Sequence, residues 1–218
     1  MDKFSTAQTF AIWLIPVLLA ITLHEVAHGW VASLRGDQTA KLLGRLTANP
    51  IKHIDLIGTI IVPGILLLTH AGFVFGWAKP VPVNYFNLKN PKRDMAIVAL
   101  AGPVSNLLMA LCWAGAAKIG MMLTPTENSA GLWLYYTGQA GIMINTWLMI
   151  LNLFPIPPLD GSKVLAGLLP RDASNAFSRL EPYGFLILFG LILTNVLQTL
   201  LLPPTEFVLS LITSAFAL

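Results

Sequence analysis

Residues 10–34 run between Gln8 and Arg35 with Glu25 as their only charged side chain. At about 1.5 Å per residue, a helix of this length reaches ~37 Å, enough to cross a roughly 30 Å hydrocarbon core with some tilt. The short leader before it carries Asp2 and Lys3, and the run is long for a signal core, so it reads as a retained first span. Further apolar runs lie at 56–77, 95–123, 132–154 and 183–202, with a shorter one at 206–218. Across the 218 residues, 56% are apolar and only 11% charged, a balance that a soluble domain of this size cannot hide from water. The expected fold class is therefore an all-α polytopic membrane protein with about five to six transmembrane or re-entrant segments. Soluble enzymes and disordered scaffolds are excluded. A net charge of +3 gives no reason to expect nucleic acid as a partner.

Positive charge sets the expected topology. Eleven of the thirteen Lys and Arg residues fall in three segments: Arg35, Lys41, Arg45 and Lys52; Lys79, Lys89, Lys92 and Arg93; and Lys163, Arg171 and Arg179. Basic residues near span ends collect on the cytoplasmic side. The first two clusters share a side only if the 56–77 run dips in and returns, so a re-entrant hairpin turning near Pro63-Gly64 is expected. The amino terminus and the 124–129 link then lie outside. The 183–202 run is expected to span. Residues 206–218 start after Pro203-Pro204 and are expected to cross at a thin point or lie in the interface. Cys112, the single cysteine, sits in an apolar run and is expected to be a small lipid- or helix-facing residue.

Within the first span, His24-Glu25-Val26-Ala27-His28 places two imidazoles four residues apart on one helix face, where both can reach one ion. This is the H-E-x-x-H pattern. Zinc on two such histidines lowers the pKa of a water to about 7, and the glutamate accepts its proton during hydrolysis. A carboxylate at mid-span costs about 3 kcal/mol, so these groups need partners inside the bundle. A third ligand is expected from another span. Asp160 stands out, after the helix-breaking Pro155, Pro157 and Pro158. Alone, Asp160-Gly161 would read as an interfacial cap; beside the histidine pair, the ligand reading is the better one.

Together with Asn152-x-x-Pro155-x-x-x-Leu159-Asp160-Gly161 and Gly102-Pro103-Val104-Ser105-Asn106, the histidine motif resembles the site-2 protease family of intramembrane zinc metalloproteases. The resemblance covers about 12–165, and segments 36–47 and 76–84 are similar to its compact prokaryotic branch. It implies His24, His28 and Asp160 as ligands of one Zn2+ and Glu25 as the catalytic base. Asn152 and Asn106 are the implied substrate-side asparagines, the first touching substrate backbone or oxyanion, the second as a supporting polar contact. Helix-to-helix hydrogen bonding is the plain alternative for both. His53 and His70 read as non-ligands. Segments 36–47 and 76–84, flanked by Gly and Pro, are expected to form short β-elements at the membrane surface, whose edge could hold an extended substrate; simple connectors are the alternative.

The expected protein is one membrane-embedded domain over 1–218, with a zinc-site core at about 10–165 and accessory helices at about 183–218. The expected activity is that of a zinc-dependent intramembrane endopeptidase acting on a transmembrane protein or peptide in the bilayer, with a regulatory membrane partner as a further expectation. The expected location is a prokaryotic plasma membrane. His28 and His24 lie seven and eleven residues before Arg35, about 10 and 16 Å along a helix, which puts the metal nearer the cytoplasmic side. A membrane transporter or proton-coupled carrier built on buried His, Glu and Asp is the competing class, and a bound zinc distinguishes the two. A non-proteolytic binding relative is the other alternative, and the intact glutamate argues against it.

Overall fold

The computed structural model describes residues 5–69, 76–124 and 129–218. His70 and residues 125–128 of the link between the two long apolar runs lie outside this description. Ser5 caps the first helix, α1 (Thr6–Leu34): its hydroxyl accepts the Gln8 N–H, and the Gln8 side chain returns a bond to the Ser5 N–H. After a short turn, α2 (Thr39–Leu42), and an irregular loop comes the 56–68 helix. It begins as a π-helix, Leu56–Ile61, and continues as α3 (Val62–Leu68). Two long helices follow, α4 (Pro91–Leu123) and α5 (Ser129–Leu153), and pack along their length as a hairpin. α6 (Asp160–Leu168), α7 (Arg171–Ser178), α8 (Gly184–Leu193) and α9 (Val196–Phe216) complete the chain.

Among the described residues, four stretches are long and apolar enough to cross a membrane: α1, α4, 171–193 and α9. α5 is 25 residues long without a charge, but it carries Gln139, Asn145, Thr146 and Asn152 and packs against α1, α4 and α9. The architecture is an all-α polytopic membrane protein. Small residues set the α4/α5 spacing. A Cβ on Gly138 would stand 2.6 Å from the Ala117 N, and one on Gly120 would stand 2.4 Å from the Tyr135 N. Backbones this close gain contact over many atoms, which is how helices associate where lipid offers no hydrophobic drive. Leu186, Phe207 and Leu211 point outward, as a lipid-facing surface requires.

Three expectations need correction. The 56–77 run does not turn at Pro63-Gly64, because the helix passes through both. The Val62 N–H bonds to the Ile57 O in the five-residue π pattern. The next bond in that pattern would need an N–H from Pro63, which has none, so the Gly58 O is left over. It accepts the Trp77 N–H at 3.0 Å, and the Lys79 N–H reaches the His53 O at 2.9 Å. Both ends of the apolar run are thus tied together. At the carboxyl end, the anticipated 183–202 span divides at Asn195, whose left-handed φ of 58° separates α8 from α9. α9 then runs through Pro203 and Pro204, held by Leu197, Leu201 and Ile212 packed in the core.

The third correction concerns the surface β-elements. Among the described residues no strand forms. Pro80 and Pro82 have no N–H for a ladder, and donors around them bond to side chains and helix ends. Buried Asp37 is the main anchor. Its carboxylate accepts the Asn84 N–H at 2.7 Å, the Asn87 Nδ2 at 3.0 Å, and both the N–H and hydroxyl of Thr39. Burial pushes this carboxyl up, but the bonds from Thr39, Asn87 and Asn84 outweigh it and hold it below the usual range. Its stabilisation is therefore complete above about pH 5 and fades as pH falls through the ordinary value of about 3.9 toward the lower folded one. In Asp37→Asn an amide N–H meets donors instead, at a cost of about 1–3 kcal/mol. The thermal midpoint of the native protein should fall more steeply between about pH 5 and pH 3 than that of Asp37→Asn; equal slopes would contradict the anchor role.

Candidate metal centre

α1 carries His24 and His28 on one face, and both rings turn toward α4. A Cβ on Gly102 of α4 would stand 2.5 Å from the His28 Nε2 and 2.6 Å from the His24 Nε2, so the rings rest directly on bare backbone. Pro103 follows and removes one helical N–H from the same turn. The rings meet edge to face, with centroids 4.6 Å apart. Asp160 arrives from the other side. The chain leaves helix after Leu153, passes the three prolines and re-enters helix at Asp160. A Cβ on Gly161 would come within 2.2 Å of the Leu153 O, so only glycine lets α6 begin this close to the end of α5.

The three buried side chains converge through one atom each. The Asp160 Oδ2 is 3.1 Å from both the His24 Nε2 and the His28 Nε2, and the two nitrogens are 3.0 Å apart. Ligand atoms ~2.0 Å from a tetrahedral zinc stand ~3.3 Å from one another, close to this triangle. Two imidazoles and a carboxylate are the donor types zinc takes at catalytic sites. The residues therefore fit the ion. The other Asp160 oxygen, Oδ1, lies 3.8 Å from the Lys163 Nζ, so positive charge backs the carboxylate.

The outer nitrogens are engaged as well. The His28 Nδ1 donates to the Val98 O at 2.7 Å, and the His24 Nδ1 meets the Asn106 Oδ1 at 2.6 Å. Asn106 is fully buried, and its Nδ2 donates to the Asn145 Oδ1 at 2.9 Å and the Ala20 O at 3.3 Å. It thus joins α1, α4 and α5 behind the histidines. Asn152 bonds within its own helix, Nδ2 to the Leu148 O at 3.0 Å. Glu25 reaches the irregular 76–84 segment, where its Oε2 accepts the Val81 N–H at 2.8 Å. The segment is seated there because Gly29 lacks a Cβ, which would stand 2.7 Å from the Val81 side chain. His53 lies away from the cluster and bonds the Thr47 O.

Sequence reasoning passed over Asn145, the Gly102 cradle and the Val81–Glu25 bond. Asn145 did leave a signal: it precedes Asn152 by seven residues, two helical turns, inside an apolar run where an amide needs a partner.

A polytopic helical scaffold with a buried His-His-Asp cluster and an adjoining glutamate makes this a membrane protein with a candidate metal centre. Comparison with known proteins gives the closer assignment. Over 197 residues the chain is 38% identical to a Bacillus subtilis protein named "Putative zinc metalloprotease YwhC", covering 87% of this chain and 83% of that one. It is 30% identical over 183 residues to "Putative zinc metalloprotease Rip2" of Mycolicibacterium smegmatis, covering 83% and 66% of the two chains. It is also 30% identical over 158 residues to "Putative zinc metalloprotease MJ0611" of Methanocaldococcus jannaschii, covering 72% and 70%. No protein-family model matches the chain, and no solved structure does. The chain belongs to the compact site-2 protease family of zinc metalloproteases. That makes it a hydrolase of the metalloprotease class.

In Gly102→Ala the added methyl would stand 2.5 and 2.6 Å from the two Nε2 atoms and push both rings from their places. Zinc content should fall to background while the helical circular dichroism remains; a variant that keeps zinc would contradict the cradle.

Proposed function

We propose that this chain is a zinc-dependent endopeptidase that hydrolyses peptide bonds in or near the transmembrane segments of membrane proteins. The observation that carries the proposal is the convergence of His24, His28 and Asp160 at 3.0–3.1 Å inside a bundle of membrane helices. Zinc held there supplies the Lewis acidity that makes water nucleophilic near neutral pH. His24 and His28 offer Nε2, and Asp160 offers Oδ2. Glu25 is the general base. Its Oε2 is held by the Val81 N–H, which fixes the carboxylate's direction and leaves Oε1 to take the water's proton and pass it to the departing amine.

A substrate helix must unwind to react, because its carbonyls are otherwise hydrogen-bonded and shielded. Helix-breaking residues near the scissile bond are therefore part of the proposed substrate class. Asn152, near the last turn of α5 and eight residues before Asp160, is the proposed contact for the unwound substrate backbone. The site lies toward the Arg35 end of α1, and the basic clusters near that end support a cytoplasmic orientation in a plasma membrane. Selection among membrane substrates then falls to the bilayer-facing helices, the short loops or a regulatory membrane partner.

Glu25→Gln keeps the side-chain shape and removes the base. It should retain zinc and lose at least about a hundredfold in cleavage of a model transmembrane substrate in detergent or liposomes. Cleavage at the native rate by this variant would overturn the proposed mechanism.

A further inference from the structure

We propose that Asn145 is a positioning residue for the metal centre: acting through Asn106, it fixes His24 in the tautomer that carries its proton on Nδ1 and turns the Nε2 lone pair toward the metal. The inference rests on the reading of His24 as a ligand.

An amide side chain has a donating end and an accepting end of nearly equal shape, and its neighbours decide which faces where. The Asn145 Nδ2 lies 2.9 Å from the Gly141 O of its own helix. A backbone carbonyl only accepts, so this end of Asn145 is the NH2 group and its Oδ1 must face Asn106. That oxygen requires a donor, which the Asn106 Nδ2 supplies at 2.9 Å while also reaching the Ala20 O at 3.3 Å. The Asn106 Oδ1 is then left for His24 at 2.6 Å. An amide oxygen has no proton to give, so the His24 Nδ1 must carry one. Hydrogen-bond donation thus runs one way, from His24 to Asn106 to Asn145 to the Gly141 carbonyl, and it ends on main chain that cannot flip.

His28 achieves the same result in one step, through Nδ1 on the Val98 O. His24 has no backbone carbonyl in that position and needs the two asparagines. Both are 0% exposed, so bulk water cannot substitute for either. Without the Asn145 oxygen, only the longer 3.3 Å bond to the Ala20 O holds the Asn106 amide, too weak a tether to stop it from rotating and presenting its NH2 to His24. The ring would then move its proton to Nε2, the atom that must be bare to bind an ion. Partners of this kind typically carry 10–100-fold in metal affinity.

The test uses the full chain with 15N-labelled histidine, metal-free, and reads the imidazole 15N–1H correlations; His24 is assigned by the resonance lost in His24→Gln. His24 should carry its proton on Nδ1. In Asn145→Leu this signature should be lost, and zinc affinity, measured by competition with a chromophoric chelator, should fall about 10–100-fold. Asn145→Asp, protonated in this buried place, keeps an oxygen for Asn106 and a hydroxyl for the Gly141 O, and should restore both readouts. A native His24 with no proton on Nδ1 overturns the relay, whatever Nε2 shares with the Asp160 Oδ2 in the metal-free protein, as does an Asn145→Leu variant with native Nδ1 protonation and zinc affinity. Should the leucine variant not fold, the native and Asn145→Asp spectra decide, and a His24 Nδ1 without a proton in either overturns it. Native protein with the Nδ1 proton but without zinc binding supports the relay and separately refutes the metalloprotease reading.

Discussion

An aspartate or a charged histidine at the centre of a bilayer costs several kcal/mol unless another group in the protein answers it. In this chain, the answer to two histidines and an aspartate is one another. Their convergence requires three backbones to approach more closely than ordinary side chains permit, and each approach is made at a glycine. Gly102 lets the rings lie on α4, Gly161 lets α6 start against the end of α5, and Gly138 with Gly120 keeps α4 and α5 in near backbone contact. The prolines before Asp160 interrupt the helix at the level where an aspartate must turn inward. The bundle is in this sense packed around a polar point.

Polar satisfaction continues outward from that point. Lys163 backs the free Asp160 oxygen, Val98 and Asn106 take the outer histidine nitrogens, and Asn145 takes the remaining Asn106 hydrogen bond. Buried amides without such partners would be costly in a medium with no water. On the loop side, Glu25 and Asp37 serve the irregular 76–84 segment in a similar way, by accepting backbone N–H groups that its prolines leave without a ladder. The same carboxylate that is the proposed base therefore also helps to seat the chain beside the site.

Much of this was legible in the sequence, and the reasons are physical. Long uncharged runs have few alternatives to membrane helices, so α1, α4 and α5 were identifiable, although each helix begins three or four residues before its apolar run, at Thr6, Pro91 and Ser129. The four-residue spacing of His24 and His28 requires only helical geometry to be read, and the prolines around Asp160 mark a break that composition alone reveals. Other features depend on tertiary partners. Pro63 and the Pro203-Pro204 pair look like breakers, yet a π turn relieved by Trp77 and a packed face on α9 carry the helices through them. Segment 76–84 has strand-like residues but no partner strand, and its donors go to Glu25 and Asp37 instead. Asn145 stayed unread because the rotation of α5 decides which polar residue faces the core. That rotation is set by small-residue packing against α4, which a single sequence does not encode locally.

The proposed site depends on one atom from each of His24, His28 and Asp160 holding a single zinc ion. X-ray absorption at the zinc edge of the purified full-length protein, with metal content measured on the same sample, tests this directly. One zinc per chain is expected, bound by two imidazole nitrogens and carboxylate oxygen at ~2.0–2.2 Å. In Asp160→Ala the two-imidazole signature should disappear together with the metal. A protein that binds no zinc, or a zinc shell without two imidazoles, would contradict it.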